Sequence, residues 1–294
     1  MKKHHSTKDP VLKLAKKRVK TVLNALADAP SSADTLPVDG VHQIRVCTKN
    51  LRALLQMYRP YCCKDAIKCV DQRIKSLANA YADQRDFDVQ YTMLSNAVLT
   101  FSPQQKNEVQ PLLNYFLTIR PPEKKRHIDM DARAGFESIL KVWEEKLTAC
   151  ATPNLTLGVD LTYAKAKKLA HSKSLTSDDA YHECRKWVKY YLYQLRLTSS
   201  KHRTKDKKYL NQLATLGDSL GDFHDQCVLQ ASLRTLLDSA QKENADHSEI
   251  EVPALLILNW LAEQKHHEKA KCHNLLERLF VHDSNPIKQL SKKS

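Results

Sequence analysis

The apolar residues of this chain recur mostly at intervals of three and four, which is the period of an α-helix. Segments rich in Pro, Ser, Asp and Asn interrupt this pattern at residues 29–40, 102–105, 120–127, 151–158, 174–179 and 283–286. Asp39, Ser102 and either Ser177 or Asp178 stand where helix N-caps would lie. The pattern predicts an all-α fold of about ten to twelve helices without a strand.

A long stretch of the chain repeats after 140 residues. Residues 41–59 align with residues 181–199, and the alignment matches three pairs: His42 with His182, Arg45 with Arg185, and Lys49 with Lys189. Further along, residues 77–89 align with residues 216–228 at an offset of 139 and match Asp86 with Asp225. A shorter Ala-Lys-Lys match, at 15–17 and 166–168, precedes both copies. The repeat predicts two halves with a boundary near residues 150–158.

Each copy separates its basic residues from its apolar ones. The basic stripe of the first copy consists of His42, Arg45, Lys49 and Arg52. On a helical wheel this stripe covers about 80° and lies about 145° from the centre of the apolar face. In the second copy Leu192 replaces Arg52, but Arg196 lies on the same arc one turn later.

An ordinary solvated helix face would explain one such stripe, but not two at the same phases. Cations at these spacings repel one another, so their repetition needs another cause. A polyanion supplies one, because arginine offers a planar fork to phosphate oxygens, lysine a compact charge and histidine a proton-dependent donor.

Composition points to the same class of partner. The chain has 47 Lys and Arg against 33 Asp and Glu, a net charge of +14, and only five glycines in 294 residues. Few glycines favour helices, while the basic excess favours nucleic acid, anionic lipid or another polyanion. No apolar run reaches the roughly 18 residues of a membrane span.

The cysteines and the N-terminus predict the compartment. None of the eight cysteines forms a C-x-x-C pair, and residues 1–18 lack the apolar core of a signal peptide. These features predict a reducing cytoplasm in which the thiols are free.

The two basic stripes also carry a resemblance. The stretch from Val41, of the form V-H-x-x-R-V-x-T-K-x-L-R, and the second copy, H-x-x-R-K-x-x-K-x-x-x-Y from His182 to Tyr193, resemble the two histidine helices of the CHAD family, the conserved histidine α-helical domains. The segments RDFDV (85–89) and LGDFHD (220–225) are similar to the motifs that close each half of these domains. The order and number of these matches make the resemblance specific.

The resemblance implies one compact CHAD domain over residues 8–282, made of two pseudo-symmetric helical bundles around a central basic cavity. The first half would span about 8–150 and the second about 158–282, with residues 1–7 and 283–294 as flexible termini. CHAD domains bind inorganic polyphosphate, and some associate with polyphosphate granules. The implied function is therefore non-enzymatic polyphosphate binding in the cytoplasm or at polyphosphate granules, with no cofactor or metal.

The binding residues that follow fall into two groups. Carried over from the family are His42, Arg45, Lys49, Arg52, His182, Arg185 and Lys189. Helix phase and the shorter repeat add Arg196, Lys16, Lys17, Lys167 and Lys168, although the four lysines could equally form exposed faces. The sequence departs from the family at Asn50 and Leu192, where the family often has a cation.

Two alternative functions remain. The basic charge permits non-specific nucleic-acid binding, although no nucleic-acid-binding signature is present. The dipeptide His224-Asp225, with His202 and Asp238 as further ligands, permits an HD-type metal-dependent phosphohydrolase. The matched position in the first copy, Asp86, follows an arginine, which favours a structural role for both aspartates, such as capping a helix or holding a neighbouring cation.

Overall fold

The protein is helical throughout the part of the chain that the computed structural model describes, which is residues 9–27, 38–121, 128–198, 204–242 and 248–287. These residues contain ten α-helices and no strand, so the all-α prediction is confirmed. The helices are α1 (Pro10–Ala27), α2 (Val38–Leu55), α3 (Lys64–Asn79), α4 (Asp83–Leu99), α5 (Pro103–Thr118), α6 (Ile128–Leu147), α7 (Leu155–Ala170), α8 (Asp178–Thr198), α9 (Thr204–Lys242) and α10 (Ser248–Leu279). None of them combines the length and hydropathy that crossing a bilayer requires.

Local signals begin α5 and α8 where the sequence indicates, whereas the predicted N-cap Asp39 lies inside α2, which begins at Val38. Ser102 and Gln105 form a reciprocal capping box at the start of α5, each side chain bonding the other's backbone amide. At the start of α8 the predicted choice falls on Ser177, whose hydroxyl oxygen accepts a hydrogen bond from the Ala180 amide.

The sequence repeat appears as a repeated order of helices. Helices α2 and α8 contain the matched histidines, and α1 and α7 precede them. The 39-residue helix α9 corresponds to α3 and α4 together, because Asp225 in α9 matches Asp86 in α4. In the first copy the chain breaks at residues 80–82, whereas α9 continues through the matching position.

Core packing crosses the boundary between the two halves. The main core includes residues from Val11 to Ile287 and takes side chains from α1, α2, α3, α6, α7, α8, the first half of α9 and the end of α10. A second core joins α4 and α5 to the second half of α9 and the first half of α10. The two halves therefore share both cores.

The packed chain extends past the predicted boundary at residue 282. Asn285 is buried, accepts a hydrogen bond from the Tyr191 hydroxyl at 2.6 Å and donates one to Asp160 at 3.0 Å. Ile287 is also buried in the main core. Residues 283–287 are thus packed against α7 and α8, while residues 1–8 and 288–294 lie outside the described chain.

The prediction that all the thiols are free is wrong for one pair. Cys62, in the turn before α3, and Cys150, after α6, form a disulfide with a Cα–Cα distance of 5.6 Å. They are 88 residues apart, so no short spacing motif could reveal them; the packing of α3 against α6 accompanies their approach. The other six cysteines are free.

A buried hydrogen bond connects the two histidine helices directly. The last carbonyls of a helix lack intrahelical partners, and the α2 carbonyl of Ala53 is one of them. The side-chain amide of Gln194 on α8 donates to that oxygen at 2.7 Å, and the Gln194 side chain is fully buried. This bond joins α2 to α8 across 141 residues of sequence.

Replacing this amide by a carboxylate should weaken the α2–α8 contact. In Gln194→Glu a buried acceptor would face the Ala53 carbonyl, and we expect the free energy of unfolding at pH 7 to fall by about 3 kcal/mol or more. Burial raises a carboxyl pKa in the folded state, so the loss should shrink as the pH falls toward 4, where the group is protonated and can donate. Urea unfolding at several pH values measures this.

The matched control is Gln110→Glu on the exposed surface of α5, which should change stability by no more than about 0.5 kcal/mol. Equal losses in the two variants would show that the Gln194 bond does not stabilise the contact between the helices.

Candidate functional site

Four cations from the two histidine helices come together where α2 packs against α8. We call them the cation cluster: Arg45 and Lys49 on α2, and Arg185 and Lys189 on α8. Each pair is spaced by four residues, so its members lie on one helix face about one turn apart. The opposite faces carry the predicted apolar stripes, which are buried in the main core. Burial of those stripes therefore directs the basic faces of both helices to a shared surface.

The electrostatics of Lys49 show how close the four charges are. Desolvation, followed by the repulsion of neighbouring cations, lowers the pKa of Lys49 from 10.5 to about 8. Those neighbours are Arg185, Arg45 and Lys189, while Asp225 on α9 acts in the opposite direction. The Lys49 side chain is nevertheless exposed, so an anion can reach it.

Arg45 is held at the break between α3 and α4. Its guanidinium donates from Nη1 to the Tyr81 carbonyl at 3.1 Å and from Nη2 to Oδ1 of Asp86 at 3.2 Å. Asp86 therefore has the structural role that the sequence favours, which is to position a neighbouring cation.

The side chains of Arg185 and Lys189 pack against α9 next to two of its glycines. A Cβ atom at Gly217 would be 3.2 Å from Cε of Lys189, and one at Gly221 would be 3.8 Å from Nε of Arg185. Lys189 also donates to Asp218 at 3.1 Å. The buried Nε of Arg185 has no hydrogen-bond partner within the described chain. The small residues of α9 thus let the α8 cations approach its backbone closely.

The histidine of the second copy belongs to a pair. Nδ1 of His182 lies 3.2 Å from Nδ1 of His224 on α9, and the assignment of the donor depends on the tautomers. Desolvation and Arg185 lower the pKa of both rings, that of His224 to about 4. Both imidazoles are therefore neutral at pH 7 and act as hydrogen-bonding groups rather than as cations. His42, the counterpart on α2, is exposed.

The remaining predicted residues lie in other environments. Arg52 donates to Asp71 at 2.8 Å, Lys16 pairs with Glu144, and Lys167 pairs with Asp283 at 2.8 Å while donating to the His282 carbonyl. Arg196, Lys17 and Lys168 are exposed. Asn50 and Leu192, the two departures from the family, are both buried. The cation cluster is therefore smaller than the predicted set of binding residues.

The ligand set considered for an HD-type hydrolase is not brought together. Asp238 lies thirteen residues beyond Asp225 on the same helix, which separates them by about 20 Å. His202 lies outside the described residues. Within the described part of the chain, no three His, Cys, Asp or Glu side chains are placed to hold a metal ion.

Sequence reasoning missed several groups that shape the site. The sequence indicates His224 only as part of a candidate metal-binding dipeptide, because its repeat partner is an arginine. Gly217 and Gly221 match Ala78 and Ala82 in the first copy, so two pairs of small residues at repeat positions are the signal that could have found them. The acidic partners Asp71 and Asp218 carry no motif.

Comparison with known proteins places this architecture. A search of curated proteins found no match. Two solved structures share the fold across most of their length: PptA from Streptomyces chartreusis, with a TM-score of 0.63 and 15% identity over 92% of this chain and 98% of that one, and the CHAD domain from the plant Ricinus communis, with a TM-score of 0.61 and 18% identity over 94% of this chain and 90% of that one.

The family comparison covers the cation cluster as well as the fold. The family model described as CHAD domain matches residues 15–234, which include both histidine helices and the part of α9 that lies against them. The chain therefore belongs to the CHAD domain family.

Proposed function

We propose that this protein binds inorganic polyphosphate through the cation cluster and catalyses no reaction on it. The observation that carries the proposal is that two helices from different repeats bring Arg45, Lys49, Arg185 and Lys189 to one surface. Clustered like charges raise the free energy of the empty site, and a polyanion relieves that repulsion. Binding in a polyphosphate-storing cytoplasm would place the protein on the storage granules.

The spacing of the cluster suits a chain of phosphates. On each helix the arginine and lysine are about 6 Å apart along the axis, so phosphates along one chain can meet successive cations. The arginines can engage two oxygens at once, and the lysines supply compact charges. The neutral pair His182 and His224 adds a hydrogen-bonding group beside Arg185. The proposal needs no metal or cofactor.

Non-specific nucleic-acid binding is the second candidate, and the net charge of +14 is the observation that favours it. In that case the whole basic surface would act, rather than four residues. The two candidates therefore differ in which substitutions matter.

A competition titration separates them. We expect purified protein to prefer long-chain polyphosphate over charge-matched double-stranded DNA at moderate salt, and Arg45→Ala/Arg185→Ala to abolish that preference. The matched control is Arg73→Ala/Arg133→Ala, which removes the same charge from exposed positions on α3 and α6. Equal binding of both polymers, unaffected by the first double variant, would contradict the proposal. Phosphate release during the titration would contradict its non-enzymatic part.

The lowered pKa of Lys49 predicts a pH dependence. As the pH rises from 7 to 9, the free protein loses the Lys49 charge, while bound phosphate holds the proton. Affinity for polyphosphate should therefore fall by about five- to tenfold over this range. The groups that face Lys49 are Arg45, Arg185, Lys189 and Asp225.

Lys49→Arg provides the comparison, because arginine stays charged throughout this range. Isothermal titration calorimetry on both proteins should show a flat pH profile for the variant. The same decline in both would assign the effect to another group.

Close approach of Lys189 to α9 predicts opposite effects on binding and stability. In Gly217→Ala the new Cβ would displace the Lys189 side chain, and polyphosphate affinity should fall about two- to fivefold. Alanine also favours the helix, so the free energy of unfolding should rise by up to about 1 kcal/mol. In a Lys189→Ala background the same change should leave affinity unaltered. A loss of affinity that persists there would mean that Gly217 acts on something other than Lys189.

A further inference from the structure

The histidine pair lies at one end of the basic row on α8. His182 precedes Arg185 by three residues and Lys189 by seven, so the three side chains follow one side of the helix. Three residues before His182 comes Asp179, which is exposed and close enough for its charge to act on the His182 ring. A chain of phosphates that follows the row from Lys189 to His182 would next meet this carboxylate. The repulsion favours a chain that ends at the histidine pair.

The hydrogen bond within the pair fixes what the two rings offer to a ligand. Desolvation, followed by the charge of Arg185, lowers the pKa of both rings, so both are neutral near pH 7. A neutral imidazole has one N–H donor and one bare nitrogen acceptor. Because Nδ1 of one ring donates to Nδ1 of the other, the donor ring keeps a bare Nε2 and the acceptor ring keeps an Nε2–H. Whichever ring donates, the pair presents one acceptor and one donor.

Neither Nε2 atom is used within the described part of the chain. There the bond between the two rings is the one side-chain hydrogen bond of His182 and of His224. His182 is exposed and His224 is partly buried, so a ligand can reach the pair from the side of α8. The charged groups that face the pair lie on α8 and are Arg185, Lys186, Glu183 and Asp179.

The ends of a polyphosphate chain match this donor and acceptor, whereas its middle does not. An internal phosphate is fully ionised near pH 7 and offers acceptors alone, so the bare Nε2 would face another acceptor. A terminal phosphate, like a phosphate monoester, has a second pKa of about 6, and its monoprotonated form offers one O–H together with acceptor oxygens. That form can donate to the bare Nε2 and accept from the Nε2–H at the same time.

We propose that His182 and His224 together recognise the terminal phosphate of a polyphosphate chain. Arg185 holds the ionised oxygens of that phosphate, and the following phosphates extend along α8 toward Lys189. This inference rests on the proposed function, because the same cation cluster holds the rest of the chain. It adds that the site binds the ends of chains in preference to their middles. The first repeat has Arg85 in place of His224, so it repeats the cations but not the pair.

The test compares a linear ligand with a ring that has no ends. Linear tetrapolyphosphate and cyclic hexaphosphate, each with at most about six negative charges, are titrated into the full chain by calorimetry in magnesium-free buffer. We expect the linear ligand to bind about five- to tenfold more tightly at pH 6, and this advantage to shrink to about twofold at pH 8, where the terminal proton is lost. The charge of the linear ligand rises over this range, so charge alone predicts the opposite trend. Loss of the Lys49 charge affects both ligands and cancels in the ratio.

Removing one ring of the pair should remove the preference. In His224→Phe the ring shape is kept but the hydrogen bond to His182 is lost, and the two affinities should then agree within about twofold at both pH values. The matched control is His273→Phe, which replaces an exposed histidine of α10 and should keep the ratio of the unaltered protein. Circular dichroism verifies that each variant is folded. A preference that survives His224→Phe in folded protein would contradict the inference.

A measurement on the unaltered protein guards against misfolding of the variant. In phosphorus NMR, tetrapolyphosphate gives separate signals for its terminal and its internal phosphates. Substoichiometric protein at pH 6 should broaden the terminal signal more than the internal one. Equal broadening of the two signals would overturn the assignment of the pair to chain ends.

The possible failures are distinguishable. If both ligands bind and the linear one has no advantage at pH 6, the inference is wrong and the proposed function stands. If neither ligand binds, while the protein is folded, the cation cluster is not a phosphate site and both proposals fail.

Discussion

The contact between α2 and α8 is the constraint on which the rest of the structure depends. Both helices bury an apolar stripe in a core that the two halves share, and the Gln194 amide satisfies the Ala53 carbonyl at the crossing. With those faces buried, the basic faces of both helices turn toward a common surface. The repulsion within the cation cluster is thus offset by hydrophobic burial elsewhere in the same two helices.

Acidic residues hold the long basic side chains in place. Asp86 holds Arg45, Asp218 holds Lys189 and Asp71 holds Arg52, each from a helix other than the cation's own. Ordering these long side chains in advance reduces the entropy lost when an anion binds. Within the cluster, Arg185 is the member whose Nε stays buried without a described partner, and two α9 glycines give its helix the space to approach.

Sequence reasoning succeeds here where the information is periodic and fails where it is not. The helical class, the apolar stripes of α2 and α8, and all four cluster cations follow from a period of 3.6 residues together with one internal repeat. The disulfide between Cys62 and Cys150 and the pairing of Lys167 with Asp283 join residues far apart in the chain. Such pairings depend on the final packing, so no local pattern encodes them. The sequence does not reveal the role of His224 for a related reason, because that role is to pair with His182 on another helix, α8.

The two repeats also differ in how they transmit a displacement of the second core to the cation cluster. The helix α9 runs unbroken for 39 residues, about 58 Å, and contributes to both cores, whereas the first copy breaks between α3 and α4. A displacement of the second core therefore tilts the whole of α9. In the first copy, the same displacement of α4 can be taken up by the break before it, so that α3 stays in place. Arg45 is bonded to the backbone at that break, while Arg185 and Lys189 pack against the continuous helix α9. The cation cluster is therefore supported by a continuous helix on the side of α8 and by an interrupted pair of helices on the side of α2.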